Sequence, residues 1–203
     1  MSEITQQTEE TVENIEVNVE GTMENIEKQL AELKSRIEVL DKKTTEPKVS
    51  MIVFSGDLDK VLASFVIATG SVAMGMEVVM FFTLWGTPVL RDKNKSVGGK
   101  DIMGKMFGTM LPKGTGTVKL SQMNMGGMGT AMMKSLMKKK NVASLEQMLE
   151  MAEELGVKIY VCEMSMDLMG FKREEMIDYN GLEFCGVAKF LEEANNSRIQ
   201  LFI

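Results

Sequence analysis

The sequence predicts an α/β protein: a mainly parallel sheet covered on both faces, preceded by an N-terminal helical arm. Three observations predict it. Short apolar runs rich in β-branched and aromatic residues, at 49–54, 78–82 and 157–161, alternate with segments of helical period, and this β-α-β alternation is the pattern of a parallel sheet buried on both sides. Residues 1–47 carry twelve Asp/Glu against five Lys/Arg, while the remainder carries seventeen against eighteen, so the net charge of −6 belongs to the arm. Pro47 closes a linker at 44–47, which divides the chain into an arm, 1–46, and a domain, 47–203.

In the arm, Met23, Ile26, Leu30, Leu33, Ile37 and Leu40 recur in steps of three and four, a heptad seam. Between Val12 and Met23 the steps lengthen to an eleven-residue repeat, and Gly21 weakens it. So narrow a stripe implies a partner helix; an amphipathic helix lying on its own domain and a disordered acidic arm are the alternatives. Before Val12 the composition is that of a disordered segment.

In the domain, residues 49–54 read as a first strand, closed by Ser55 and Gly56. Asp57 is placed to cap a helix carrying Leu58, Val61, Leu62, Phe65 and Val66, which ends near Gly70 or Gly75. Residues 78–82 read as a second strand, followed by Trp85 and Gly86 at its carboxyl end. Trp85 either stacks over a ligand or closes the core, and its size favours the core. Residues 91–143 interrupt the alternation with repeated glycines and nine methionines between Met103 and Met137. Residues 100–140 hold eight lysines against one aspartate, a net of +7. A methionine-packed core with a solvated lysine fringe is the first expectation; a membrane-surface patch is the less favoured one. Nucleic acid is not expected, because no groove-entering motif or interleaved aromatics accompany the lysines. Ser144 caps an amphipathic helix ended by Gly156, and residues 157–161 form the next strand. A short helix at 172–177, another ending near Ala194, and a last strand at 198–203 buried through Ile199, Leu201 and Ile203 complete the domain.

The chain has no histidine, which excludes Ser-His-Asp triads, Cys-His pairs and the commonest metal ligand. Two distant cysteines give neither a disulfide framework nor a zinc site, and no metal or cofactor is expected. Met1 to Glu10 is polar and acidic, unlike a signal peptide, and no run of about 18 apolar residues exists, so the expected location is cytoplasmic. The available chemistry is that of a thiol, a carboxylate, a lysine or the backbone. Cys162 stands where the strand at 157–161 meets helix-start chemistry, with Ser165 as a candidate N-cap and Asp167 in the following turn. Strand carboxyl ends are where ligands meet parallel sheets, and a thiol there is either an activated nucleophile or a small buried hydrophobe.

The run from Cys162 through Ser165 and Asp167 to Gly170, the Phe81-Phe82-Thr83-Leu84-Trp85-Gly86 segment, the Met-Asn-Met-Gly-Gly-Met-Gly run at 123–129 and the Gly186-Val187-Ala188 turn together resemble the DsrE/DsrF-like proteins, in the branch labelled peroxiredoxin-like. The resemblance covers residues 48–203. It implies a small three-layer α/β/α domain, a homo-oligomer, and sulfane sulfur carried as a persulfide on Cys162 and exchanged with a TusA-like carrier. Ser165, Asp167, Trp85 and Gly86 are then the supporting pocket. Cys185 is a possible resolving thiol, and Lys134, Lys138, Lys139 and Lys140 are candidates for attracting an anion. No Pro-x-x-x-Thr-x-x-Cys arrangement surrounds either cysteine, so peroxidase activity is not expected. A scaffold with a structural Cys162 and a two-cysteine redox device are the competing functions.

Overall fold

A computed structural model describes residues 22–38, 46–99 and 102–203. The chain forms two units, Met1–Thr44 and Thr45–Ile203. In the first, residues 22–38 are a helix, α1. Its apolar positions Met23, Ile26, Leu30, Leu33 and Ile37 are all exposed. Leu40, Gly21 and everything before it lie outside the described residues, as does the expected disorder ahead of Val12.

The second unit is built on five parallel strands: β1 (Glu46–Val53), β2 (Glu77–Phe82), β3 (Lys158–Cys162), β4 (Leu182–Cys185) and β5 (Ser197–Phe202), in the order β4-β3-β2-β1-β5. Alternation sends Val49, Met51 and Val53 of β1, with Val78, Met80 and Phe82 of β2, into the larger core. There they meet α2 (Leu58–Ala73) through Val61, Phe65 and Ala68, and α5 (Leu145–Glu154) through Leu145, Met148 and Ala152. Those residues lie three and four apart, so each helix turns one stripe to the sheet. Ser144 caps α5 as the sequence predicts, and Gln147 completes a reciprocal capping box with it.

The opposite face is covered by α7 (Val187–Asn195), through Phe190 and Ala194, over Val79, Phe81, Tyr160 and Cys162. Phe190 stacks on Phe81 with ring centroids 5.1 Å apart. The Tyr160 hydroxyl donates to Glu193 Oε1 at 2.8 Å, and Lys48 Nζ donates to Glu193 Oε2 at 3.1 Å, which ties α7 to β3 and β1.

Four expectations need correction. Residues 172–177 are not a helix. Only Arg173–Glu175 makes a single 3-10 turn, after which Met176 pairs with Arg91 in an isolated antiparallel bridge. β4 is a strand that sequence reading passed over. β5 is an edge strand rather than a buried one: Ile199 and Phe202 are exposed and Leu201 is half-buried. The methionines of 103–137 do not form a core. That segment contains α3 (Ile102–Met110) and α4 (Met128–Lys139), which turn few residues inward, and of its nine methionines Met137 alone is buried. The segment is nonetheless fastened to the domain: Leu58 N donates to the Lys119 carbonyl at 2.8 Å, and the Ser121 hydroxyl donates to Asp59 at 2.6 Å. Among the described residues no helix is long and apolar enough to cross a membrane.

Candidate functional site

β3 runs into α6 (Glu163–Met169) without a loop. Cys162 is both the last residue of the strand and the N-cap position of the helix, with extended backbone at φ −69° and ψ 111°. Gly170 ends α6 in the left-handed region, φ 65°, where a side chain would be strained. Cys162 is only 3 % exposed.

Ser165 does not cap this helix, because α6 begins at Glu163, two residues before it. It is instead fully buried and joins α6 to the exit of β2. Its hydroxyl shares a hydrogen bond with Thr83 Oγ1 at 2.9 Å and accepts the Leu84 N–H, also at 2.9 Å. Leu84 is held at φ 45°, a backbone state that costs a branched residue about 1–3 kcal/mol, and the Ser165 bond stabilises it. The exit of β2 is in turn locked to that of β1. A Cβ on Gly86 would stand 2.2 Å from the Val53 carbonyl oxygen, and one on Gly56 would stand 2.3 Å from the Trp85 carbonyl oxygen. Only glycine permits both approaches. The carboxyl ends of β1, β2 and β3 are therefore one connected edge, with Cys162 at its β3 position.

β4 ends at Cys185, directly opposite Cys162 in the β3–β4 register. Both thiols belong to the apolar cluster under α7, and Cys185 is half-buried. Burial, then the charges of Glu183, Cys162 and Glu163, push the Cys185 thiol up to about 11, against an opposite pull from Lys189. The Tyr160 phenol, two residues before Cys162, is also raised, first by burial and then by Glu193. Beside the site, Glu163 forms an ion pair with Arg173, whose guanidinium lies 5.0 Å from the centroid of the Phe184 ring. With Met166, Asp167, Phe171 and Lys172 they line an open, charged cleft of about 460 Å³.

With this edge defined, sequence comparison supplies its context. The DsrE/DsrF/DrsH-like family matches residues 45–202. The chain belongs to that family. Among relatives, the Bacillus subtilis protein named "Uncharacterized protein YrkE" is 42 % identical over 156 residues, covering 77 % of this chain and 96 % of its own. "Sulfur carrier protein DsrE2" of Allochromatium vinosum is 37 % identical over 159 residues, covering 78 % of this chain and 99 % of its own. The solved structure of the ychN protein from E. coli covers 77 % of this chain and 98 % of its own, at 10 % identity and a TM-score of 0.45.

In this DsrE/DsrF/DrsH-like domain the remaining predicted residues fall in separate places. Asp167 is exposed on α6 and belongs to the charged cleft. Trp85 is not a core residue: it is 49 % exposed and lines a cleft of about 340 Å³ with Phe54, Ser55, Asp57, Lys60 and Pro112. The Gly56 approach holds its backbone at the surface, which overrides the preference of a large ring for burial. Asp57 occupies the N-cap position of α2 but leaves it uncapped, its carboxylate accepting from the Ser55 hydroxyl and Lys60 instead. Lys134 and Lys138 line a third cavity, of about 490 Å³, with Leu58, Met137 and Leu145; Lys134 also donates to the Gly116 carbonyl at 2.8 Å. Lys139 and Lys140 are exposed at the end of α4. The lining of that cavity does not include Cys162. Sequence reading missed Glu163, Arg173, Thr83 and Tyr160. Glu163 and Tyr160 flank Cys162 in the chain and were within reach of inspection; Thr83 and Arg173 join the site only through folding.

Proposed function

We propose that this protein is a sulfur carrier that holds sulfane sulfur as a persulfide on Cys162 and passes it to the thiol of a partner carrier of the TusA-like kind. The observation that carries the reading is a cysteine at the carboxyl end of an interior parallel strand, in a chain 37 % identical to a protein named as a sulfur carrier. A carrier needs a nucleophilic sulfur and a cover that keeps water and stray thiols from the outer sulfur. Cys162 has the cover, formed by Phe190 and Ala194 of α7, and loading proceeds when that cover opens. Ser165 keeps α6 fixed to the β2 exit, so the thiol returns to the same place after each opening.

The test is loading with inorganic polysulfide followed by intact mass measurement without reductant. The chain is expected to gain sulfur, and Cys162→Ser to abolish the gain. Uptake that survives Cys162→Ser would remove the reading.

The working form is a homo-oligomer, in the cytoplasm, whose contacts use the methionine-bearing segment. Eight exposed methionines there, from Met103 to Met133, are adaptable apolar contacts that a solvated surface does not use. The exposed seam of α1 adds a coiled-coil contact between copies and raises avidity. Deleting residues 1–46 is expected to leave the oligomer intact in light scattering. A monomer would assign assembly to the arm.

A further inference from the structure

The two cysteines of the chain end adjacent strands. Cys162 of β3 and Cys185 of β4 are register partners, so their side chains leave the sheet on the same face. Neighbouring strands lie about 4.8 Å apart. That falls inside the span of about 4.4–6.8 Å between Cα atoms that a disulfide requires. Both thiols enter the same apolar cluster under α7, and the charge of one is felt by the other. Cys162 is almost wholly covered, whereas Cys185 is partly open.

We infer that Cys185 is the resolving thiol of a persulfide on Cys162: it attacks Cys162 Sγ, closes an intrachain Cys162–Cys185 disulfide and expels the outer sulfur as hydrosulfide. The inference rests on the carrier reading above and adds a second fate for the sulfur. Cys185 first gives its proton to solvent. Its sulfur then bonds to Cys162 Sγ as the bond between Sγ and the outer sulfur breaks, the electron pair leaving with the outer sulfur. Persulfide and thiol become disulfide and hydrogen sulfide. The outer sulfur is reduced and the Cys185 sulfur is oxidised, with no other reactant. A dithiol reductant restores both thiols by exchange. Attack falls on Sγ because register sets the distance between the two Cβ–Sγ bonds, while the outer sulfur lies one bond beyond it. A partner thiol coming from outside meets the outer sulfur instead. The site thus separates transfer of sulfane sulfur to a carrier from its release as sulfide, which a sulfide-consuming reaction would take up.

The experiment compares the wild-type chain with Cys185→Ser and Cys185→Ala. Each is loaded with inorganic polysulfide, desalted, and followed by non-reducing intact mass and by released sulfide. The wild type is expected to pass from a chain one sulfur heavier to a chain two hydrogens lighter than the starting thiol form, with one sulfide released per chain. Both variants are expected to keep the added sulfur and release none. A wild type that keeps its sulfur as long as the variants overturns the inference. Variants that never take up sulfur overturn the carrier reading and this inference with it. A separate arm with diamide, and no sulfur donor, tests the pair alone. It is expected to yield, in denaturing mass measurement, a single chain two hydrogens lighter with no alkylatable thiol, and two thiols left free, or disulfides only between chains, would remove the pairing itself.

Discussion

Replacing Glu175 by alanine is expected to lower the unfolding free energy by about 3–5 kcal/mol, the cost of breaking a buried ion pair from one side. Arg91 and Glu175 are 3 % and 2 % exposed, with Arg91 Nη2 3.4 Å from Glu175 Oε2. The guanidinium lies 4.6 Å from the centroid of the Phe171 ring and donates to the carbonyls of Gly108 at 3.2 Å and Pro112 at 3.3 Å. Burial lowers the Arg91 pKa and the Glu175 charge opposes that, so removing Glu175 leaves a cation without its main compensation. A loss of that size is a large part of the about 5–15 kcal/mol that holds a domain folded. Urea unfolding followed by circular dichroism checks it. Replacing both partners with apolar residues of similar volume, Arg91→Met with Glu175→Leu, is expected to recover most of the loss. A single substitution costing under about 1 kcal/mol would show that water reaches the pair.

That clamp also bears on the site. Asp92 N donates to the Glu175 carbonyl at 2.8 Å and Ile177 N to the Leu90 carbonyl at 2.9 Å, so the chain after the β2 exit and the chain after α6 are sewn together. Ser165 makes the same connection one layer nearer to Cys162. The thiol is therefore positioned by two crosslinks between segments about eighty residues apart in sequence, at Thr83–Ser165 and Arg91–Glu175.

This is where sequence reading and structure part. Local signals were legible: the Ser144 cap, the β-branched run into Cys162, and the alternating strands of a parallel sheet. What failed depended on partners distant in sequence. Ser165 has the chemistry of an N-cap, but the half-buried Thr83 and Leu84 claim its hydroxyl. Residues 172–177 have acceptable helix formers, but Met176 is drawn into a bridge with Arg91. β4 is four residues between Gly181 and Gly186, too short for periodicity to register, and it is defined by pairing with β3 alone. Missing β4 concealed that the two cysteines are neighbours.

The cysteine pair leads to a second large effect, in the reactivity of Cys185 with pH. In a Cys162→Ser chain, alkylation of Cys185 is expected to rise about tenfold per pH unit from neutrality and to level off above 9 but below about 11, because the thiolate is the reacting form and the thiol, raised from the usual 9.0 to about 11 with Cys162 present, loses that one contribution. The sign follows from the surroundings. Burial disfavours the thiolate, Glu183 and Glu163 repel it, and Lys189 opposes them less strongly. At neutral pH the folded chain should react more slowly than the same chain in urea, by a factor that stays below the about hundredfold of a full two-unit shift because the Cys162 contribution is gone. Glu183→Gln should move the midpoint down and speed the neutral reaction. Stopped-flow alkylation with a chromogenic thiol reagent checks each value, and a midpoint at or below 9 would contradict the assignment. The functional consequence is a matter of timing. Cys185 stays protonated at neutral pH, so the persulfide proposed on Cys162 would survive beside it long enough for a partner's thiolate to arrive. On the proposed reading, a docked carrier would take the outer sulfur before Cys185 attacks, and the resolving reaction would empty the site when no carrier comes.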